Sequence, residues 1–408
     1  MSKVVLYTNS FPYGNQETFI ETEIKYLSST YKEVIIFPLK VKGTGDRSSE
    51  LPSNCIVLKP LFPSNLTSYL LKKPIYCLGI FCQLLLKGKI GTGMKEKFFS
   101  ESVRFILTRS KQFRFLVEEK NNISLNYFYW SFGSIFAIDL IKKSLMNSAI
   151  VNRFHGFDLY DERHNQELPY RNEIALHSDL LIFISEQGKE YFLNKYPECR
   201  HKSIVSYLGV ESDSILSVKS KTCQRYDIEF FSCSSVIKLK RVDRIFKEID
   251  TFSKSSGLQV NWVHIGDGPE MKELDNLIKI KAENLKINLV GRIRNKDIQS
   301  IYECSNNKKI FINLSSSEGL PVSIMEACRS NIPIIATDVG GTKEILSSSN
   351  VGFLVNENID SNEVQLAIQR IYENYNSYNS LETWSCKFNA DVNYNDLMRK
   401  IKCIGIQS

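Results

Sequence analysis

Short apolar runs rich in Val, Ile and Phe alternate with amphipathic helix-period segments along almost the whole chain, and they do so in two series. In the first half the runs are Val4–Thr8, Val34–Pro38, Ile56–Lys59, Leu125–Tyr129, Ile150–Phe154 and Leu180–Ser185. Helical patterns over Thr18–Leu27, Ser134–Leu145 and Ser185–Lys195 fall between or after them. The second half restarts with Ile228–Cys233, Val260–Ile265, Ile287–Val290, Ile310–Leu314 and Ile332–Thr337. Uninterrupted apolar strands alternating with helices mean parallel sheets covered on both faces. Two series predict two doubly wound α/β domains, here placed at 1–208 and 209–384, with the terminal helix 385–408 free to pack back on the first. The break falls at Gly209–Tyr226, where Ser, Lys and Asp replace apolar residues. A length of 408 residues suits two or three domains at about 150 residues each. Ligands of such sheets bind at the carboxyl ends of the strands, so the expected active site is a cleft between the domains.

Composition closes off other classes. Hydrophobic residues are 43% and charged residues 24%, ordinary for a globular chain. Ten cysteines in 408 residues are too sparse for a disulfide scaffold. Residues 1–10 read as a short buried strand rather than a signal peptide, so the expected compartment is cytoplasmic, with free thiols. The net charge of +7 lies wholly in residues 1–208, which hold 27 basic and 20 acidic residues. Within 72–114 ten basic residues face only Glu96 and Glu101, interleaved with Leu84, Leu85, Phe98, Phe99 and Phe105. That mixture suits an anionic membrane surface or, equally, a solvated helix face over a core stripe. Nucleic-acid motifs do not accompany it, and nucleic acid is not an expected partner. Ile75–Leu86 is the most apolar run, but a spanning helix needs about twenty residues, so a buried or interfacial helix is expected.

The segment with the most chemistry is SSSEGLPVSIMEA, residues 315–327, directly after the strand FINL. Gly319 permits an unusual backbone conformation, and Pro321 suits the first turn of a helix running to about Arg329. A strand-to-helix turn aims backbone N–H groups and a positive dipole end at an anion. Glu318 sits at its mouth and Glu326 lies eight residues on, roughly 12 Å along a helix axis at about 1.5 Å per residue. Two carboxylates so spaced can hold two parts of one hydroxyl-rich ligand; the plain alternative is a surface helix with two solvated glutamates. Zinc-type Cys/His spacings are missing, and Cys223 and Cys233 stand ten apart. No P-loop, G-x-S-x-G or Asp-x-Asp motif was found, so no metal and no cofactor are expected.

This block resembles the glutamate–seven–glutamate signature of family 4 glycosyltransferases, retaining enzymes of the GT-B fold. FFSCSSVIKLKRVDRI, VHIGDGPEMKEL, LVGRIRNKDIQSIY, IPIIATDVGGTKEIL and VGFLV resemble other segments of that family, in its order. SFPYGNQETFIETEI and RFHGFDLYDERH match its first loop and its His-Gly-x-Asp segment. The resemblance is strongest over 228–355 and weakest over 40–120. It implies that Glu318 accepts hydrogen bonds from the donor sugar, helped by the N–H groups of Gly319 and Leu320 beside Pro321. Glu326 would bind ribose hydroxyls and Lys240 would neutralise the departing diphosphate. Ser235 stands where the family has an arginine, and Arg241 is the candidate substitute. Gly266 and Gly268 would let the backbone approach the nucleotide, and Arg292 and Ile293 would line the base pocket. His155 would contact the donor sugar and Asp158 would position its loop. Gly14 would approach the diphosphate or acceptor. On the acceptor side stand Glu17, equally a first-turn helix cap, and Tyr129 and Trp130, equally core residues.

The resemblance therefore implies a hexosyltransferase, using a UDP- or GDP-linked sugar. It is closest to bacterial O-antigen, capsule and exopolysaccharide enzymes, which implies a lipid-linked glycan acceptor and peripheral contact with the plasma membrane. A GT-B sugar-nucleotide epimerase and a non-catalytic nucleotide- or glycan-binding scaffold remain the alternatives.

Overall fold

The computed structural model describes residues 2–14, 17–63, 66–86, 94–164, 167–212 and 225–407. Much of the expected interdomain break, Cys223, and the two lysines Lys87 and Lys89 of the basic stretch lie outside the described residues. Two compact units are present: residues 1–207 with 392–408, and residues 208–391.

The first unit is built on a seven-stranded sheet. Its strands are β1 (Lys3–Thr8), β2 (Glu33–Pro38), β3 (Cys55–Val57), β4 (Ile123–Phe128), β5 (Ala149–Phe154), β6 (Leu180–Phe183) and β7 (Ser203–Val205). Their order is β3-β2-β1-β4-β5-β6-β7, and every pairing is parallel. All six residues of β5 are buried, as a strand covered on both faces requires. The three-residue edge strand β7 is half-buried and carries no apolar run, so it does not register in the sequence pattern. The helix that follows β1 spans Ile20–Thr30 and buries Ile20, Glu23, Ile24 and Leu27. Its charged member Glu23 is paired with Arg153 on β5; both are fully buried, and Tyr127 donates to Glu23 at 2.7 Å. The Ser134–Leu145 pattern folds as a 3₁₀ turn, Ser134–Ala137, and then a helix, Ile138–Ser144. Residues of the C-terminal helix Ala390–Gln407 return to this unit, with the Tyr394 ring 5.3 Å from that of Tyr26.

Six strands form the second sheet: β8 (Ile228–Cys233), β9 (Val260–Ile265), β10 (Leu285–Gly291), β11 (Lys308–Asn313), β12 (Ile334–Thr337) and β13 (Gly352–Val355). Their order is β10-β9-β8-β11-β12-β13, again all parallel. The helix Val242–Ser256 shows how the pattern works. Val242, Ile245, Phe246, Ile249 and Phe252 recur at three- and four-residue steps and are buried, and Gly257 ends the helix in the left-handed region at φ 68°. In each sheet the strand order reverses between the first and fourth strands of its series, β1 and β4 or β8 and β11. Such a switch point leaves a crevice beyond the carboxyl ends of the strands.

Candidate active site

The loops after β8 and β11 flank the switch point of the second sheet, and they bring Lys240 and Glu318 together. Lys240 Nζ lies 2.7 Å from Glu318 Oε1 and 2.8 Å from Oε2. Glu318 is only 8% exposed, and Asn313 at the end of β11 donates to its Oε1 at 3.2 Å. Asn313 also fixes the start of the loop: its Oδ1 accepts from the Ser315 N–H at 3.1 Å and the Ser315 hydroxyl at 2.6 Å. The Ser316 N–H reaches the Leu239 carbonyl at 2.8 Å, locking the loop that carries Glu318 to the one that carries Lys240. From the other side Thr337 donates to the Ser315 carbonyl at 2.6 Å, and the Gly341 N–H to Gly319 O at 2.7 Å.

Glycines set this geometry by what they pack against. Gly340 has φ 54°, and a Cβ on it would lie 2.1 Å from the Glu318 carbonyl oxygen. The unusual backbone expected at Gly319 is thus found at Gly340; Gly319 is not among the positive-φ glycines. Gly266 and Gly268 also make room for neighbouring backbone. A Cβ on Gly266 would sit 1.8 Å from Ser234 O, and one on Gly268 2.3 Å from Val236 O. The close approach they allow is of one protein loop to another. Arg292 and Ile293 follow the bridge between Gly266 and Gly291 at the same end of the sheet, with Arg292 exposed.

Pro321 is the residue before the helix Val322–Arg329, and no side chain caps that helix. The N–H groups of Gly319, Leu320, Val322 and Ser323 have no partner among the described residues. Four unsatisfied donors at a helix start form an anion-binding cradle. An ammonium carries three donors, so with two on Glu318 one remains for a ligand. Arg241, at φ 48°, spends an N–H on the Glu357 carbonyl at 2.8 Å, and Ser235 is exposed. The cation beside Glu318 is therefore Lys240. Along the helix Glu326 is half-buried, and burial pushes its carboxyl up to about 8 against a small opposing pull from Arg329. Under the same sheet end Trp262 donates to Ser232 Oγ at 3.0 Å, and Ser232 lies 2.8 Å from His264 Nδ1. Burial lowers His264 to about 4, so its ring is neutral. Asn313 and His264 were not expected at the site. The strand-end rule points to Asn313, the last residue of β11, whereas the sequence gives no signal that singles out His264.

A second cluster lies at the carboxyl ends of β1, β4 and β5 in the first unit. His155 is 5% exposed, and its ring lies 4.4 Å from that of Trp130, 5.2 Å from Tyr129 and 5.7 Å from Phe19. Both ring nitrogens are buried without a hydrogen-bond partner. Asp158 accepts from the His155 N–H and the Ser131 N–H, each at 2.6 Å, tying the loop after β5 to the loop after β4. Tyr129 is fully buried and is a core residue; Trp130 is half-buried. The helix-cap reading of Glu17 is corrected. The helix begins at Ile20, so Glu17 is not its cap. Held at φ 59°, Glu17 accepts from the Asn9, Ser10 and Phe11 N–H groups, from the Ser10 hydroxyl and from the Trp130 indole. Five donors saturate its carboxylate and leave none of its lone-pair capacity for an acceptor. Gly14 makes room for protein: a Cβ there would be 1.9 Å from the Lys42 carbonyl oxygen. Among the described residues no group of three His, Cys, Asp or Glu side chains is placed to hold a metal.

The paired parallel α/β units are those of the GT-B fold. Anabaena HepE, solved in complex with UDP, matches with a TM-score of 0.66 at 14% identity, over 99% of this chain and 100% of that one. Residues 220–385, most of the second unit, match the family described as glycosyl transferases group 1. Among curated proteins, the alpha-monoglucosyldiacylglycerol synthase of Acholeplasma laidlawii is 23% identical over 147 residues, 36% of this chain and 33% of that protein. The O-antigen biosynthesis glycosyltransferase WbnH of Escherichia coli is 31% identical over 116 residues, 28% of this chain and 31% of that protein. The chain thus spans about a third of the length of these relatives.

Proposed function

We propose that the protein is a retaining glycosyltransferase that moves a hexose from a nucleoside-diphosphate sugar to a hydroxyl of a lipid-linked glycan. The observation that carries this is the Lys240–Glu318 pair beside the four open N–H groups of the 319–323 turn. A sugar hydroxyl donates to Glu318, the diphosphate oxygens accept from the turn and from the third Lys240 donor, and the ribose diol donates to Glu326. Negative charge builds on the diphosphate as the glycosidic bond breaks, so donors already fixed there favour the transition state over the ground state. The pair is neutral as a unit, so the N–H cradle and the helix dipole carry much of the phosphate affinity. Lys240 and the cradle neutralise the phosphates without a metal. The acceptor hydroxyl attacks from the face the diphosphate leaves, and the leaving phosphate takes its proton. The WbnH likeness supports a surface-glycan setting, the alpha-monoglucosyldiacylglycerol synthase likeness supports a lipid acceptor, and HepE supports UDP; with such an acceptor the enzyme works at the cytoplasmic face of the plasma membrane.

Thermal-shift titration against UDP, GDP and their sugars tests the donor half: one nucleotide raises the midpoint, and a chain that none of them stabilises has lost the reading. Anomeric NMR of the product then decides the stereochemistry, since an inverted product excludes a retaining mechanism. An epimerase would consume the donor to free sugar with no acceptor present.

A further inference from the structure

The helix Pro74–Leu86 in the first unit is apolar on all sides, yet it buries only Ile80 and Leu84. Its inner face packs closely, since Gly79 leaves room for the Phe105 ring and the Tyr76 ring meets Phe105 edge-on at 5.4 Å. Its outer face is apolar and wet: Ile75 is 80% exposed, Leu78 66%, Phe81 45%, Leu85 53% and Leu86 88%. At about 1.5 Å per residue its thirteen residues reach about 20 Å, too short to cross a bilayer. Next to its N-terminus a cavity of about 560 Å³ is lined by Lys59, Lys73, Arg109, Lys111 and Arg114, and by no carboxylate. Among the described residues none of the five forms a salt bridge. Lys73 joins cavity and helix, held 2.8 Å from the Tyr69 hydroxyl and over the Tyr76 ring.

We propose that this cavity binds the phosphate of an anionic lipid headgroup while the outer face of Pro74–Leu86 lies in the acyl layer of the same membrane. Five clustered cations without a carboxylate attract an anion, and the adjoining exposed apolar face gains from contact with hydrocarbon; an anionic lipid supplies both. A soluble polyanion would satisfy the cations and leave the five apolar side chains in water. The cavity belongs to the first unit and the Lys240–Glu318 pair to the second. It deepens the acceptor side of the function proposed above, and its test reads lipid binding rather than transfer, so either can fail alone.

The full chain is floated with vesicles of phosphatidylcholine alone or with added phosphatidylglycerol. The wild type partitions to the anionic vesicles, and salt weakens the binding. The triple variant Lys59→Gln/Lys111→Gln/Arg114→Gln binds about a hundredfold more weakly, from about fivefold for each cation near the surface. Its charge-keeping counterpart Lys59→Arg/Lys111→Arg/Arg114→Lys binds as the wild type does. The indole of Leu78→Trp shifts to shorter emission wavelengths on vesicles and is quenched by brominated acyl chains. The triple variant melts cooperatively at the same midpoint as the wild type, which shows that the variant is folded. The proposal is overturned if the wild type ignores anionic vesicles at low salt, if the triple variant floats with them undiminished, or if the indole stays in water. Binding of inorganic phosphate or a mixed-sequence oligonucleotide without binding of vesicles overturns it too.

Discussion

On the proposed reading Glu326 accepts from both hydroxyls of a ribose diol, which favours its ionised form, but in the free protein burial holds its carboxyl up to about 8. Nucleotide binding therefore releases a proton below that pH. The apparent Kd for UDP is expected to rise as the pH falls from 8 towards 6, by up to about tenfold per unit, and Glu326→Gln should flatten the profile; titration calorimetry in buffers of different ionisation enthalpy would also count the proton. The stability effect has the opposite direction. The folded-state value is raised above the unfolded one, so the native protein binds the extra proton between about 4.5 and 8, and stability falls as pH rises through that window. Glu326→Gln should accordingly raise the thermal midpoint at pH 9 and change it little at pH 5. At this scale the strand-to-helix turn of residues 315–327 marks Glu318 and Glu326 as candidates, whereas Lys240 is marked only by the family resemblance of its segment. The sequence was uninformative about Glu17, whose role comes from a left-handed backbone that folds its carboxylate back onto the 9–11 amides. Propensity does not encode that conformation for a glutamate.

Loops, rather than helices and strands, separate what could be read from what could not. Strands such as β5 and β9 are buried along their whole length and so spell themselves as apolar runs. β7, at a sheet edge, does not. A glycine in a loop signals that something approaches closely, but not what: for Gly14, Gly266, Gly268 and Gly340 the neighbour is another stretch of this backbone. Gly340→Ala makes that distinction measurable. The new methyl would meet the Glu318 carbonyl, in a left-handed conformation that itself costs about 1–3 kcal/mol. The Glu318 turn should shift, so transfer should fall by at least about tenfold, because misplacement of about 1 Å costs up to a hundredfold. The comparison to make is steady-state kinetics against chemical denaturation of the same variant: activity lost in step with a global unfolding at room temperature would deny the turn its positioning role.

Across the whole molecule two parallel sheets repeat one plan, and both candidate clusters sit where that plan leaves a crevice, at the switch points β1/β4 and β8/β11. The first unit has an ionic centre under that point. Glu23 and Arg153 are fully buried and paired, with Tyr127 donating to the carboxylate and Arg153 donating to the Ser206 carbonyl at 3.1 Å. Arg153→Met would strand the Glu23 charge, and urea unfolding should show a loss of about 3–5 kcal/mol, whereas replacing both residues with apolar ones of like volume should cost far less. The measurement that bears most directly on the central claim is release of nucleoside diphosphate from a panel of UDP- and GDP-sugars with a lipid-linked acceptor extract, for the wild type, Glu318→Ala and Lys240→Met. The account predicts turnover with one donor and a fall of about 10²–10³ in kcat for each variant, with the fold intact. Turnover at the wild-type rate in both variants would contradict it.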